Sequence, residues 1–190
     1  MATNTTTPDY YELFVNNTVV QPYEKNGNCG VGWYFRHPAN LYTKECLVAV
    51  DVTGIPSGST VNSVAVSFDI QSNSLGANAM IAWLQEQNQG NWTDTGSAPI
   101  YSTFTTTSWP SAMQSVTGLT SSSTGTKTFL TNSTMVTLWQ AFVDGTKTAH
   151  DGVIIAMNTN TIAWWIDINT ISIVVDYTPG ATTRRIFLVT

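Results

Sequence analysis

Short β-branched or aromatic runs, separated by clusters of Gly, Asn, Pro and Ser, constrain this chain more than any other feature. Leu47 to Val52, Val61 to Ile70, Ala79 to Gln85, Gly152 to Met157 and Ile171 to Tyr177 are the clear cases. Such runs bounded by turn residues predict an all-β sandwich or barrel. Within Val61 to Ile70, the apolar Val64, Val66, Phe68 and Ile70 alternate with small or polar residues. Alternation at period two predicts a half-buried strand with one set of side chains on each face. Ile171, Val174, Val175 and Tyr177 form a nearly continuous apolar strand, which is expected in the middle of a sheet.

One segment departs from this period. Met135, Leu138, Trp139 and Phe142 recur at i, i+3, i+4 and i+7, between Thr131-Asn132-Ser133-Thr134 and Gly145. That spacing predicts a short amphipathic helix over about 132–144, with Asn132 or Ser133 as N-cap and Gly145 just past its end. Its apolar stripe, Trp139 included, is expected to lie on the sandwich as core. Thr103 to Thr107 and Ser121 to Thr126 read as loop or edge material.

The length of 190 residues bounds the chain to one domain or two small ones. Only 10% of the residues are charged, and Thr, Ser and Asn make up about a third. The surface is therefore expected to carry hydroxyls and amides where most proteins carry ions. Seven Lys plus Arg against twelve Asp plus Glu argue against a nucleic-acid partner, whose phosphates require a run of basic contacts. No stretch approaches the roughly 20 apolar residues that span a bilayer. Met1 is followed by Ala-Thr-Asn-Thr-Thr-Thr-Pro, so neither a Sec-type signal nor membrane insertion is expected.

The residues that could carry chemistry are sparse. Cys29 and Cys46 are too few for a four-ligand zinc site, and His37 and His150 stand alone, so no metal or cofactor is expected. The cysteines form one disulfide if they lie on neighbouring strands, or remain two free thiols. Asp51, Asp69, Asp144, Asp151, Asp167 and Asp176 are isolated in strands or turns. With no carboxylate pair or nucleophile and base in proximity, no enzymatic activity is expected.

Seven Trp residues are a high load for this length. Buried, they fill the sandwich; exposed, they stack on sugar rings or anchor an interface. Trp92 and Trp109 lie in Gly, Asn, Ser and Pro-rich stretches and, with Tyr101, are the candidate glycan or interface aromatics. Trp164 and Trp165 are adjacent, so on a strand one points to each face.

The segment Leu47-Val48-Ala49-Val50-Asp51-Val52-Thr53-Gly54-Ile55-Pro56-Ser57-Gly58-Ser59-Thr60-Val61-Asn62-Ser63-Val64-Ala65-Val66 resembles the strand, Ile-Pro-x-Gly turn, strand hairpin of the DNRLRE-type domains. Those are jelly-roll sandwiches related to carbohydrate-binding modules. A second match runs from Phe129 through the helix carrying Trp139 and Asp144-Gly145 to Asp151-Gly152-Val153-Ile154-Ile155. The resemblance covers about residues 12–178. It implies an antiparallel jelly roll, with residues 1–11 as an N-terminal arm and 179–190 as a C-terminal tail or extra strand. Two departures stand out: Lys44-Glu45-Cys46 precedes Leu47 where the family has an Arg, and the family's Trp motif is present only loosely as Gln89-Gly90-Asn91-Trp92-Thr93. The motifs are structural, so they bear on fold before function.

The tail contains Arg184-Arg185-Ile186-Phe187-Leu188-Val189, an apolar run that a lone domain does not leave in water. It is expected either to fold back as another strand or to dock on a further subunit by strand addition. These features together lead to the expectation of a structural protein of a virion surface, of the bacteriophage capsid decoration, cement or fibre type. It would act by association with itself and with other virion or surface subunits. The alternatives are a carbohydrate-binding or adhesion module, whose partner is a glycan, and a subunit of a cell-surface layer or filament.

Overall fold

The computed structural model describes residues 1–16, 19–25, 27, 29–36, 40–77, 79–87, 92–94, 99–101, 112–147, 152–158 and 164–180. The chain folds as an antiparallel, jelly-roll-like β-sandwich with one short helix, closing almost into a barrel.

One layer is centred on β13 (Trp165–Thr178), which pairs along its whole length with β6 (Thr60–Asn73), itself paired with β11 (Gly125–Phe129). On its other edge, β13 takes β1 (Ala2–Thr6) against residues 173–177 and β4 (Cys29–Arg36) against residues 165–168. The second layer runs β10 (Gln114–Leu119), β7 (Met80–Glu86), β12 (Val153–Asn158), β5 (Asn40–Val48), β2 (Tyr10–Asn16) and β3 (Val19–Lys25). A separate two-stranded hairpin pairs β8 (Trp92–Asp94) with β9 (Pro99–Tyr101).

The predicted alternation is realised in β6, where Val64, Val66, Phe68 and Ile70 are buried and Ser63, Ala65, Ser67 and Asp69 are half-buried. Ile171, Ile173, Val175 and Tyr177 of β13 face the same core, and the rings of Phe68 and Phe129 lie 5.2 Å apart. β13 runs through the middle of its layer, as expected, although its burial alternates. The strand buried at every position is β12, at residues 153–157, as its unbroken Val-Ile-Ile-Ala-Met run requires.

Helix α1 (Ser133–Val143) follows its predicted signals closely. The Asn132 side chain accepts the Met135 N–H at 2.9 Å, and Gly145 takes the left-handed φ of 70° past the end. Met135, Leu138, Trp139 and Phe142 are buried in the main core. Gln140 fixes the helix to the start of β6, accepting from the Val61 N–H at 2.8 Å and donating to the Ser59 carbonyl at 3.0 Å.

One expectation is corrected. Leu47 to Val66 is not a hairpin: β5 and β6 belong to different layers and do not pair. The Ile55-Pro56-Ser57-Gly58 stretch is an arch between them, with Ile55 buried at its centre and turns closed by Ile55 N–H to Val52 O and Ser59 N–H to Pro56 O. Ala2 to Thr6 add a strand beside β13, and β2 begins at Tyr10.

Candidate functional site

The side chains on the solvent face of β1, β13, β6 and β11 form one continuous surface across four hydrogen-bonded strands. They are Thr3, Thr5, Ser63, Ala65, Ser67, Asp69, Thr126, Thr128, Thr170, Ser172, Val174 and Asp176, without a Lys or Arg. Cross-strand register places hydroxyls opposite carboxylates. Asp176 accepts from Thr3 Oγ1 at 2.6 Å and from Ser63 Oγ at 2.9 Å. Those two bonds favour the carboxylate and hold Asp176 below its ordinary pKa. Ser67 and Thr128 share a hydroxyl bond of 2.9 Å, and Ser72 donates to Asp167 at 2.8 Å. Thr126 leans on Asp69 at 3.3 Å, bordering a shallow depression of about 140 Å³ with Ser67, Thr170 and Ser172. Chemically this face offers short donors and acceptors already held in place.

The second layer shows the opposite character. Tyr11, Leu47, Ile154 and Gln85 form a row across β2, β5, β12 and β7 on the side away from the main core, and all four are buried. Glu45 and Gln87 are also buried. At the edge of this layer, β4 leaves β5 beyond the Gly32–Lys44 pair and crosses to β13. Gly32 makes the crossing possible. Its φ is +133°, and a Cβ there would stand 2.3 Å from the Trp164 carbonyl oxygen. Below the crossing, the Glu12 carboxylate accepts the Gly30 N–H at 2.9 Å and the Lys44 ammonium at 2.6 Å. A side chain thus supplies what the diverging strand no longer does.

The aromatic candidates divide. Trp92 and Tyr101 occupy directly opposed positions on β8 and β9. Trp109 and the tail residues Arg184, Arg185, Ile186, Phe187, Leu188 and Val189 lie outside the described residues, as do His37 and His150. Trp139 is core, as expected, and Trp164 packs partly buried against the core, its ring filling the space beside Gly76. An open groove of about 340 Å³ runs along α1, lined by Ser133, Thr134, Thr137, Leu138 and Ala141, with the Lys147–Glu86 ion pair of 2.5 Å beside it.

Among the described residues, no three His, Cys, Asp or Glu side chains are grouped to hold a metal ion, and no helix is long and apolar enough to cross a membrane. Asp51 caps the arch by accepting from the Thr53 N–H and hydroxyl, Asp144 accepts from Gln140, and Asp167 and Asp176 bond to hydroxyls. Sequence reasoning missed the Glu12–Lys44 pair and the joining of separate Thr, Ser and Asp residues into one face. The alternation of Ser and Thr with apolar residues in Val61 to Ile70 was a signal for the second. No family model matches the chain, and no curated protein sequence matches it significantly.

Proposed function

We propose that this protein is a non-enzymatic structural subunit that works by association, in a virion surface of the capsid decoration, cement or fibre type. The observation that supports this is the hydroxyl and carboxylate face of β1, β13, β6 and β11. Docking a surface costs about 0.5–1.5 kcal/mol for each long side chain it immobilises. Ser, Thr, Ala and Val have little rotamer freedom to lose. Here the hydroxyls are moreover fixed by Asp176, Asp167, Asp69 and Thr128 before any partner arrives. Such a face suits repeated contacts between identical copies, which need roughly 1,000 Å² or more of complementary surface.

Light scattering on the full chain tests this directly. Ser67→Lys combined with Ser172→Lys places two long cations on the face without touching the core. The double variant is expected to keep the parent's circular dichroism and lose its association. Undiminished association of that folded variant sinks the reading. A chain ending at Gly180 separates the face from the tail: loss of assembly there, with folding intact, assigns the contact to Arg184 to Val189.

A second reading, glycan adhesion, is favoured by the opposed positions of Trp92 and Tyr101 on one hairpin. Aromatic residues in register are what a sugar ring stacks on. Glycan-array binding that is competed by free sugar and lost in Trp92→Ala would put this reading first.

A further inference from the structure

The fork where β4 and β5 part company holds the chain's two cysteines. Cys29 lies on the part of β4 that pairs with β13, opposite Ile168, and Cys46 on the part of β5 that pairs with β12, opposite Ile155. β4 and β5 stay in register only as far as Gly32–Lys44, so Cys29 and Cys46 both lie just beyond the point where the strands part. Both side chains are essentially inaccessible, at 1% and 0% exposure, and both belong to the one core between the layers. The Cys29 sulfur lies 3.9 Å from the carbonyl oxygen of Glu45, the residue preceding Cys46, and both cysteines are free thiols in this structure.

We propose that Cys29 and Cys46 are an intramolecular disulfide site that ties the two layers together at this fork, closed during folding by exchange with a small-molecule disulfide. One cysteine thiolate attacks a sulfur of that oxidant, forming a mixed disulfide and expelling the first small thiolate. The second cysteine thiolate then attacks the mixed disulfide and expels the other. Two protein thiols are oxidised to one S–S bond, and the oxidant is reduced to two thiols, which take up the two protons released by the cysteines.

Folding is the step at which this occurs. In the finished sandwich, burial first and the Cys46 thiol second push the Cys29 thiol well above its ordinary pKa, and the thiolate is the reactive species. The place is also where a tie acts most directly on architecture. Here the strand ladder divides, and the Glu12 carboxylate bridges Gly30 and Lys44 across the gap. The inference is independent of what the protein assembles with.

The test uses the full wild-type chain, unfolded and reduced, then refolded either in mixed oxidised and reduced glutathione or in excess dithiothreitol. Expected from the first buffer is a monomer two hydrogens lighter, whose tryptic peptide 26–36 is joined to peptide 45–127. Its thermal midpoint should rise by on the order of 10 °C, and dithiothreitol added to the unfolded chain before refolding should abolish the rise. In the second buffer the folded chain should leave both thiols unreactive toward a thiol reagent until denaturant is added. Cys46→Ala should give the same midpoint in both buffers. Recovery of a folded monomer with two thiols from the glutathione buffer, disulfides formed only between chains, or a tie that lowers the midpoint would each overturn the proposal.

Discussion

On β13 and β6 the positions between core residues are Ser63, Ala65, Ser67, Ser172, Val174 and Asp176, all half-buried. Positions of the same kind on β2, β5 and β12 are Tyr11, Leu47 and Ile154, all at 0% exposure. Each layer turns one face to the shared core, so the contrast lies on their other faces. A face of short hydroxyls bonded to carboxylates is stable in water as it stands. One of Tyr, Leu and Ile is stable only when covered, and it takes Glu45, Gln85 and Gln87 into burial with it. The two layers share antiparallel strand geometry and differ in which residues fill alternate positions. The residue pattern, not the ladder, decides which face can meet a partner or solvent.

Ile154→Ala makes the severest test of that contrast. It should cost about 2–5 kcal/mol in urea unfolding, against about 1 kcal/mol or less for Val174→Ala on the other face. Equal losses would mean that the face bearing Ile154 is not a packed layer. Glu12→Ala removes the carboxylate shared by Gly30 and Lys44 and should cost about 3 kcal/mol, in the range for breaking a buried ion pair. A loss below about 1 kcal/mol, as at exposed pairs, would show that the fork holds without it. Ser67→Ala, which deletes the hydroxyl bond to Thr128, should cost about 1 kcal/mol or less.

The smallest effect is a pH dependence. Asp176 has a lower pKa in the fold than in the unfolded chain, near 3.8, because Thr3 and Ser63 donate to its carboxylate. The unfolded chain therefore binds the proton first as the pH drops. Asp176's contribution is fully present well above 3.8 and is lost as the pH falls through the folded value. Asp176→Asn should flatten the acid limb of a stability-against-pH curve and leave its slope near neutrality unchanged. An unaltered acid limb would show that the two hydroxyl bonds contribute nothing to folding.

Local patterns were legible where one physical cause dominated. The period-two run in Val61 to Ile70 and the i, i+3, i+4, i+7 stripe ending at Gly145 each define their own element, as β6 and α1 show. β5 extends back to Asn40, well before the expected Leu47, because Lys44-Glu45-Cys46 carries no apolar alternation. Buried charge explains it: Glu12 and Lys44 face each other, and neither is apolar. The arch at Ile55-Pro56 was read as a hairpin because turn residues fix the reversal locally and leave open which layer the next strand joins. That choice belongs to β13 and β11, which bracket β6 from more than 50 residues further along the chain. The aromatic candidates were legible as residues, and for Trp92 and Tyr101 the register adds their opposition. The hydroxyl face was not, because it joins Thr3, Ser63 and Asp176 from three distant segments.

The pairing of β1 with β13 carries a consequence for synthesis on the ribosome. Ala2 is matched with Tyr177 and Thr6 with Ile173, so β1 has no partner until β13, the last strand among the described residues, has been made. β6 waits likewise for its long neighbour. Contacts this distant in sequence make folding slow and leave strand edges open in the meantime. The low charge that suits the finished surface gives those waiting edges little electrostatic protection. Until β13 arrives, β1 and one side of β6 stand with open edges, and the time taken to synthesise the chain from β6 to β13 sets how long they stay so.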